Sequence, residues 1–368
     1  MKTVIAVPDF TREAHLKEVL PPLISRLKRQ GVCEKDIEII IGTGLHRPPM
    51  QKEISSNLGA ISKKIKISSH NYARNNVSYF GKTKKGIPVY LNKKLKRAGA
   101  IITVGVVEPH LYAGYSGGAK VVVIGLAGEK TINSTHHPRF MDHPGTRICS
   151  IKNNPFRGFI EEAANLLPIS YSINIINDKD GKLFRIFEGK PGPCFKNAVR
   201  YSKKIFEKKI KIRPDVIICD IPGSKAVNIY QASRAFNYLV NTRKSAVKKG
   251  SLILVKADLK EGFGKGLGEK RFMQKMLQMK TPENLISEIK KGGCLAGEHR
   301  AYMVAKAMLK ARLGFISKRA HLYKNKGLPF LFFKDTAEAK RFFKRNANKG
   351  KFYYLRNAFE TILVRSRS

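Results

Sequence analysis

Apolar residues in this chain come first as short unbroken runs. Residues 3–7, 37–41 and 100–106 are built almost entirely from Val, Ile and small residues, and residues 12–30 between the first two are amphipathic. Continuous β-branched runs separated by helical stretches are what strands buried on both faces require, so the pattern predicts parallel strands covered by helices. A second cycle starts with Asp215-Val216-Ile217-Ile218-Cys219-Asp220 and Ile221-Pro222-Gly223, followed by a helix-like stretch at 230–247 and a strand at 251–255. The closing segment, 332–368, adds at least one helix. The basic run 203–211 lies between the cycles and reads as a boundary. The expectation is an α/β protein of two domains, 1–205 and 206–368, each with a mainly parallel, Rossmann-like sheet. A cleft between them is the expected place for a site.

Composition changes this picture little. At 368 residues the chain exceeds the size at which one core usually stops growing, and 42% hydrophobic residues exclude a fibrous or largely disordered class. The charge is unusual: 71 Lys and Arg against 27 Asp and Glu give a net +44. The basic pairs, such as Lys203-Lys204, Lys248-Lys249 and Lys290-Lys291, are spread over the chain, and no zinc knuckle or RNP-like motif accompanies them. A solvated Lys-rich surface is favoured over nucleic-acid binding, and its field would draw in a small carboxylate. Five scattered cysteines without a CxxC pair fit reduced thiols, and the opening apolar run stops at Asp9. A cytoplasmic protein without a membrane span or signal peptide is expected.

Open parallel sheets place chemistry beyond the carboxyl ends of their strands. Three such ends carry unusual residues: Asp9-Phe10-Thr11-Arg12, Gly42-Thr43-Gly44-Leu45-His46-Arg47-Pro48, and the segment from Glu108 through His110 to Gly114-Tyr115-Ser116-Gly117-Gly118-Ala119-Lys120. The Gly-rich part could cradle an anion with the amides of Ser116, Gly117 and Gly118 at a helix start. It is not a nucleotide P-loop, because Ala119 precedes Lys120 and Val121 follows it, which removes the magnesium-binding hydroxyl. Lys120 borders the apolar run 121–126, where desolvation makes an amine nucleophilic; the plainer alternative is a Lys that pairs with an anion.

Six of the nine histidines fall between His46 and His143. His46 and His110 follow different strands and could act as acid and base, whereas a lone His is more often a hydrogen-bonded structural group. His136 and His137 are adjacent and must point different ways, so at most one readily joins a given metal. Arg12 and Arg47 could fork onto a carboxylate or phosphate, and Asp9 could orient Arg12; caps and surface ion pairs are the alternatives.

These motifs, together with His136 and Tyr230-Gln231-Ala232-Ser233-Arg234, resemble the nickel-dependent lactate racemases and their 2-hydroxy-acid relatives over most of the chain. Asn154-Pro155, Glu261-Gly262-Phe263-Gly264 and Gly297-Glu298-His299-Arg300 are softer similarities. The resemblance implies an isomerase carrying a nickel pincer nucleotide, pyridinium-3-thioamide-5-thiocarboxylic acid mononucleotide, joined to Lys120 with nickel on His136. It implies catalytic roles for His46 and His110. It also places Arg12, Gln231 and Arg234 around cofactor and substrate, with Asp9 in the arginine-bearing motif.

The implied reaction is racemisation or epimerisation of lactate or a related 2-hydroxy acid by proton-coupled hydride transfer, which avoids deprotonating a very weakly acidic α carbon. Cofactor-maturation proteins are the implied partners. Compared with the family, several tens of residues that normally precede the first strand are missing, Ile124-Gly125 replaces the usual Pro-Gly, and Trp is absent. These departures bear on substrate more than on cofactor. The competing expectations are a cofactor- or nucleotide-binding protein without catalysis and, less favoured, a nucleic-acid-binding protein.

Overall fold

The computed structural model describes residues 2–366 apart from 179, 222, 243, 244 and 347–349. The chain folds as two units, residues 1–135 with 150–205 and residues 136–149 with 206–368. Segment 136–149, which carries His136, therefore clusters with the second unit, although the sequence places it in the first.

In the first unit the strands are β1 (Lys2–Pro8), β2 (Ile37–Gly42), β3 (Lys66–Ser69), β4 (Val77–Lys82), β5 (Pro88–Asn92), β6 (Ala98–Val106), β7 (Pro109–His110), β8 (Gly114–Tyr115), β9 (Ile169–Asn177) and β10 (Leu183–Gly189). Six of them form one sheet in the order β10-β9-β6-β1-β2-β3. All its pairings are parallel except β9 with β10. The sheet is parallel because its strands are apolar on both faces: six of the seven β1 positions are buried. The helix Leu16–Arg29 lays Leu16, Val19, Leu20, Leu23, Ile24 and Leu27 onto Ile5, Val7, Ile39, Ile41, Val104 and Val106. Six buried aliphatic side chains represent roughly 10 kcal/mol of gross hydrophobic transfer, before the entropy of ordering the helix.

The second unit repeats the scheme with β11 (Glu207–Ile210), β12 (Val216–Asp220), β13 (Ser251–Lys256), β14 (Ala311–Ile316), β15 (Leu331–Phe333), β16 (Phe352–Leu355) and β17 (Ile362–Arg365). Five of these form an all-parallel sheet, β15-β14-β13-β12-β16. The fold class is thus α/β with mainly parallel sheets. The basic run 203–211 is the end of the helix Pro191–Phe206 running into β11, which pairs with β17. The stretch expected as one helix over 230–247 is two short helices, Ile229–Ala232 and Arg234–Val240, of which the second ends at Asn241. Ser233 interrupts them, its hydroxyl donating to Tyr230 O at 2.9 Å. Residues 243 and 244 of that stretch lie outside the described residues. Among the described residues no helix is long and apolar enough to cross a membrane.

Candidate active site

In the first sheet β2 and β3 lie on one side of β1 and β6 on the other, so the strand order reverses between β1 and β6. Ligands of open α/β sheets bind beyond the carboxyl ends at such a point. β1 delivers Asp9 and Arg12 there, β2 delivers His46, and β6 delivers Glu108 and His110.

Asp9 is buried and ties these ends together. Its Oδ1 accepts from the Thr11 hydroxyl at 2.6 Å and amide at 3.2 Å, and its Oδ2 lies 2.7 Å from His46 Nδ1. Burial alone would raise the carboxyl pKa. Attraction to His46, hydrogen bonds from His46 and Thr11, and the nearby Arg12 overcome this and hold it below the usual value. The ionised carboxylate keeps the His46 proton on Nδ1, which makes Nε2 the basic nitrogen. Across the switch point, the Arg12 guanidinium is ion-paired with Glu108. Arg47 is committed to its own loop: its two terminal nitrogens fork onto Glu53 at 2.8 and 2.7 Å, and it lies over the Phe10 ring. The forked ligand contact considered for Arg47 is therefore already taken by a protein carboxylate.

His110 sits at the first turn of a tight excursion in which β7 pairs with β8. Its Nδ1 accepts from the amides of Ala113 at 3.2 Å and Tyr112 at 3.3 Å, so in the neutral ring the proton is on Nε2. His46 and His110 are thus set in opposite tautomers, one presenting an accepting Nε2 and one a donating Nε2–H. The excursion is clamped from behind by Arg157, which is 2% exposed and donates to the carbonyls of Ala113 and Tyr115 while lying 4.4 Å over Phe195. Burial lowers this guanidinium to about 10, with partial relief from Glu161. Gly114 has a φ of 74°, and a Cβ there would strike the carbonyl of Ser150, so no other residue fits.

The Gly-rich loop differs from expectation. The Ser116 amide donates to Glu108 O at 2.9 Å, the Gly118 amide to Asn174 Oδ1 at 2.8 Å, and the Ser116 hydroxyl to Val106 O at 2.6 Å. A Cβ on Gly117 would press on Val107 at 2.6 Å. These residues pack the loop against the sheet, so an open nest of three amides is not present. The helix that Lys120 opens is a single turn, Lys120–Val123, whose valines are buried while Lys120 is partly exposed at its start.

In the second unit His136 and His299 are buried, with ring centroids 4.5 Å apart. Gly297 N donates to His299 Nδ1 at 3.0 Å, and burial, with lesser contributions from His136 and Arg300, pushes the His299 pKa well down. His137 points elsewhere, its Nδ1 capping the helix Pro138–Met141. Gln231 and Arg234, one helical turn apart, are buried and joined by a 3.2 Å hydrogen bond, with Arg234 5.2 Å over the Phe359 ring.

Charged and imidazole groups gathered at the switch point of a mainly parallel sheet define a two-unit α/β protein of the kind that holds small ligands at its strand ends. Residues 1–148 match the lactate racemase N-terminal domain. The chain is 24% identical over 290 residues to a lactate racemase of Thermoanaerobacterium thermosaccharolyticum, covering 78% of this chain and 66% of that one. It is 28% identical over 269 residues to a lactate racemase of Lactiplantibacillus plantarum, covering 71% and 61%. The matches thus span just under two thirds of these relatives' lengths. In fold it is similar to the lactate racemase apoprotein of T. thermosaccharolyticum, with a TM-score of 0.86 at 23% identity over 98% of this chain and 86% of that one. A Thermotoga maritima protein gives 0.75 at 14% identity over 100% and 94%. The sequence match to the lactate racemase N-terminal domain thus covers the part of the chain that carries Asp9, Arg12, His46, His110 and Lys120, and the similarity in fold extends over the rest of the chain.

Sequence reasoning missed Glu108, Arg157 and His299 as working parts. Asn154-Pro155 was the available signal for Arg157: Asn154 caps the helix Pro155–Ala164, and the cap fixes where Arg157, in the first turn, points.

Proposed function

We propose that this chain is a racemase or epimerase of a 2-hydroxy acid, lactate or a close relative, working with a nickel pincer nucleotide attached to Lys120. The observation that carries the reading is the pair of imidazoles, held in opposite tautomers, at the ends of β2 and β6. The Nδ1 of His46 is held by a carboxylate, and that of His110 by two amides.

The residues suit that cofactor in part. A buried imidazole at His136 is a donor appropriate to nickel, and Lys120, partly exposed at the end of the loop, can reach solvent. The amides of Ser116 and Gly118 do not serve its phosphate as they stand, because both already donate within the protein. When bound, the cofactor would supply a hydride acceptor that returns the same hydride to either face of the substrate carbon.

The chain's own contribution is proton transfer. His46 accepts the hydroxyl proton of one enantiomer at Nε2, and Asp9 stabilises the imidazolium that results. When hydride returns to the opposite face, the His46 imidazolium gives the same proton back to the oxygen. His110, whose Nδ1 accepts from two amides, offers its Nε2–H as a hydrogen-bond donor that positions and polarises that oxygen. Arg12, Gln231 and Arg234 are assigned to carboxylate and cofactor contacts, with Glu108 holding Arg12 in place.

The test is chiral chromatography of enantiopure 2-hydroxy acids after incubation with cofactor-loaded protein. Formation of the opposite enantiomer, abolished by His46→Ala and by His110→Ala, is expected. A loaded protein that leaves every acid of the panel enantiopure would establish the alternative, a cofactor-binding protein without catalysis.

A further inference from the structure

Arg300 lies in the first turn of the helix Glu298–Met308 and is 8% exposed. Its Nε and Nη1 have no hydrogen-bond partner. The Tyr230 ring lies 5.4 Å from its Cζ and covers a face of the guanidinium, but a ring face cannot take the N–H groups that radiate in the guanidinium plane. The neighbouring carboxylates are engaged elsewhere: Glu269 accepts from Gly266 N at 2.7 Å and Asn228 Nδ2 at 3.1 Å, and Glu298 accepts from Leu295 N at 2.7 Å. A buried guanidinium left in this state is costly, since unmade hydrogen bonds to a charged group carry its desolvation penalty in full.

The surroundings hold Arg300 in place. The helix starts at Gly297, whose φ is 102° and where a Cβ would strike the Gly268 backbone, so this helix end presses against the first turn of the helix Leu267–Gln278. Gly297 supplies no side-chain cap, and the helix begins with its positive end uncompensated by a capping oxygen. A fixed cation with unmade N–H groups at an uncapped helix start favours an oxyanion.

We propose that Arg300, backed by Tyr230, is the receiving group of a small-oxyanion site in the second unit that takes a carboxylate or a phosphate group. A carboxylate would come from an organic acid, a phosphate from a nucleotide or a free ion. The chemistry shared by both is a planar or tetrahedral oxyanion accepting charge-assisted hydrogen bonds from the guanidinium. The proposal does not depend on the racemase reading, and its test uses protein without cofactor.

Inorganic phosphate, lactate and malate are titrated separately into the full chain at constant ionic strength, with binding followed by calorimetry and thermal unfolding. The parent, Arg300→Met, Arg300→Lys and the exposed-surface control Lys249→Met are compared. At least one anion is expected to bind the parent and Lys249→Met alike, at least tenfold more weakly to Arg300→Met, and with intermediate affinity to Arg300→Lys. Phosphate alone would identify the phosphate source, lactate or malate the carboxylate source. Ligand-free Arg300→Met is expected to unfold at the parent temperature or above, because it loses an unmatched buried charge. No anion response in the parent, a response unchanged in Arg300→Met, or an Arg300→Met protein that unfolds several degrees lower or fails to fold would each overturn the proposal.

Discussion

Asp9 Oδ2 and His46 Nδ1 lie 2.7 Å apart, joining the carboxyl ends of the first two strands of the sheet through one hydrogen bond. That contact selects the His46 tautomer. Asp9→Asn keeps the shape and removes the charge, so cofactor-loaded protein should lose on the order of 10²-fold or more in kcat with KM changed far less. Steady-state racemisation kinetics read the split. The carboxyl is held below its ordinary pKa in the folded protein, so its stabilisation is present above the unfolded value and is lost as pH falls through the folded value. Asp9→Asn should flatten that part of the acid limb.

His70 gives a second, separable pH dependence. It is 2% exposed, with Nε2 donating to Ala127 O at 3.0 Å and Nδ1 accepting from Asn92 at 3.2 Å. Burial pushes it down to about 4, against a smaller opposing effect of the Ala127 carbonyl. Below about pH 6.5 the unfolded chain takes up a proton that the folded chain refuses until about pH 4. Stability should therefore be constant above that window and decline through it, by about 3 kcal/mol at most from this group. His299 adds to the same limb. Urea titrations between pH 7.5 and 4.5 should show a shallower decline in His70→Gln than in the parent.

Arg157→Met should cost about 2–4 kcal/mol, because the carbonyls of Ala113 and Tyr115 lose their buried donor. The damage should be local as well as global. Hydrogen exchange of residues 110–120 should quicken more than that of β1 or β2.

Lys120→Ala should abolish the cofactor adduct in intact-mass spectra together with racemisation, while the unfolding free energy from urea titration stays within about 0.5 kcal/mol of the parent. The residue is partly exposed, and the buried valines that follow it supply the packing.

The parallel strands were legible because both faces are buried, which writes continuous Val and Ile runs at 3–7, 37–41 and 100–106. The strands β3 and β4 were not, since partly or fully exposed residues of mixed polarity fill them, and β5 buries only Val89, Leu91 and Asn92, too short a run to stand out. The break at Ser233 was hidden because it depends on a side-chain hydroxyl competing for a backbone carbonyl. At the site, Gly, His and Lys at strand ends marked where to look. Sequence could not reveal that Asn174 and Glu108 consume the loop amides, because those partners are 56 and 8 residues away and meet only in the folded sheet. Nor could it reveal that Glu53 occupies the Arg47 fork.

The central claim is that His46 and His110 act only on the hydroxyl, by proton transfer and hydrogen bonding, while the α hydrogen travels as a hydride. The most direct measurement incubates cofactor-loaded protein with one enantiomer of lactate in heavy water and follows chirality and α-deuteration together. The account predicts loss of optical purity with the α hydrogen retained in the product. Racemisation accompanied by deuterium at the α carbon, or unchanged optical purity, would contradict it.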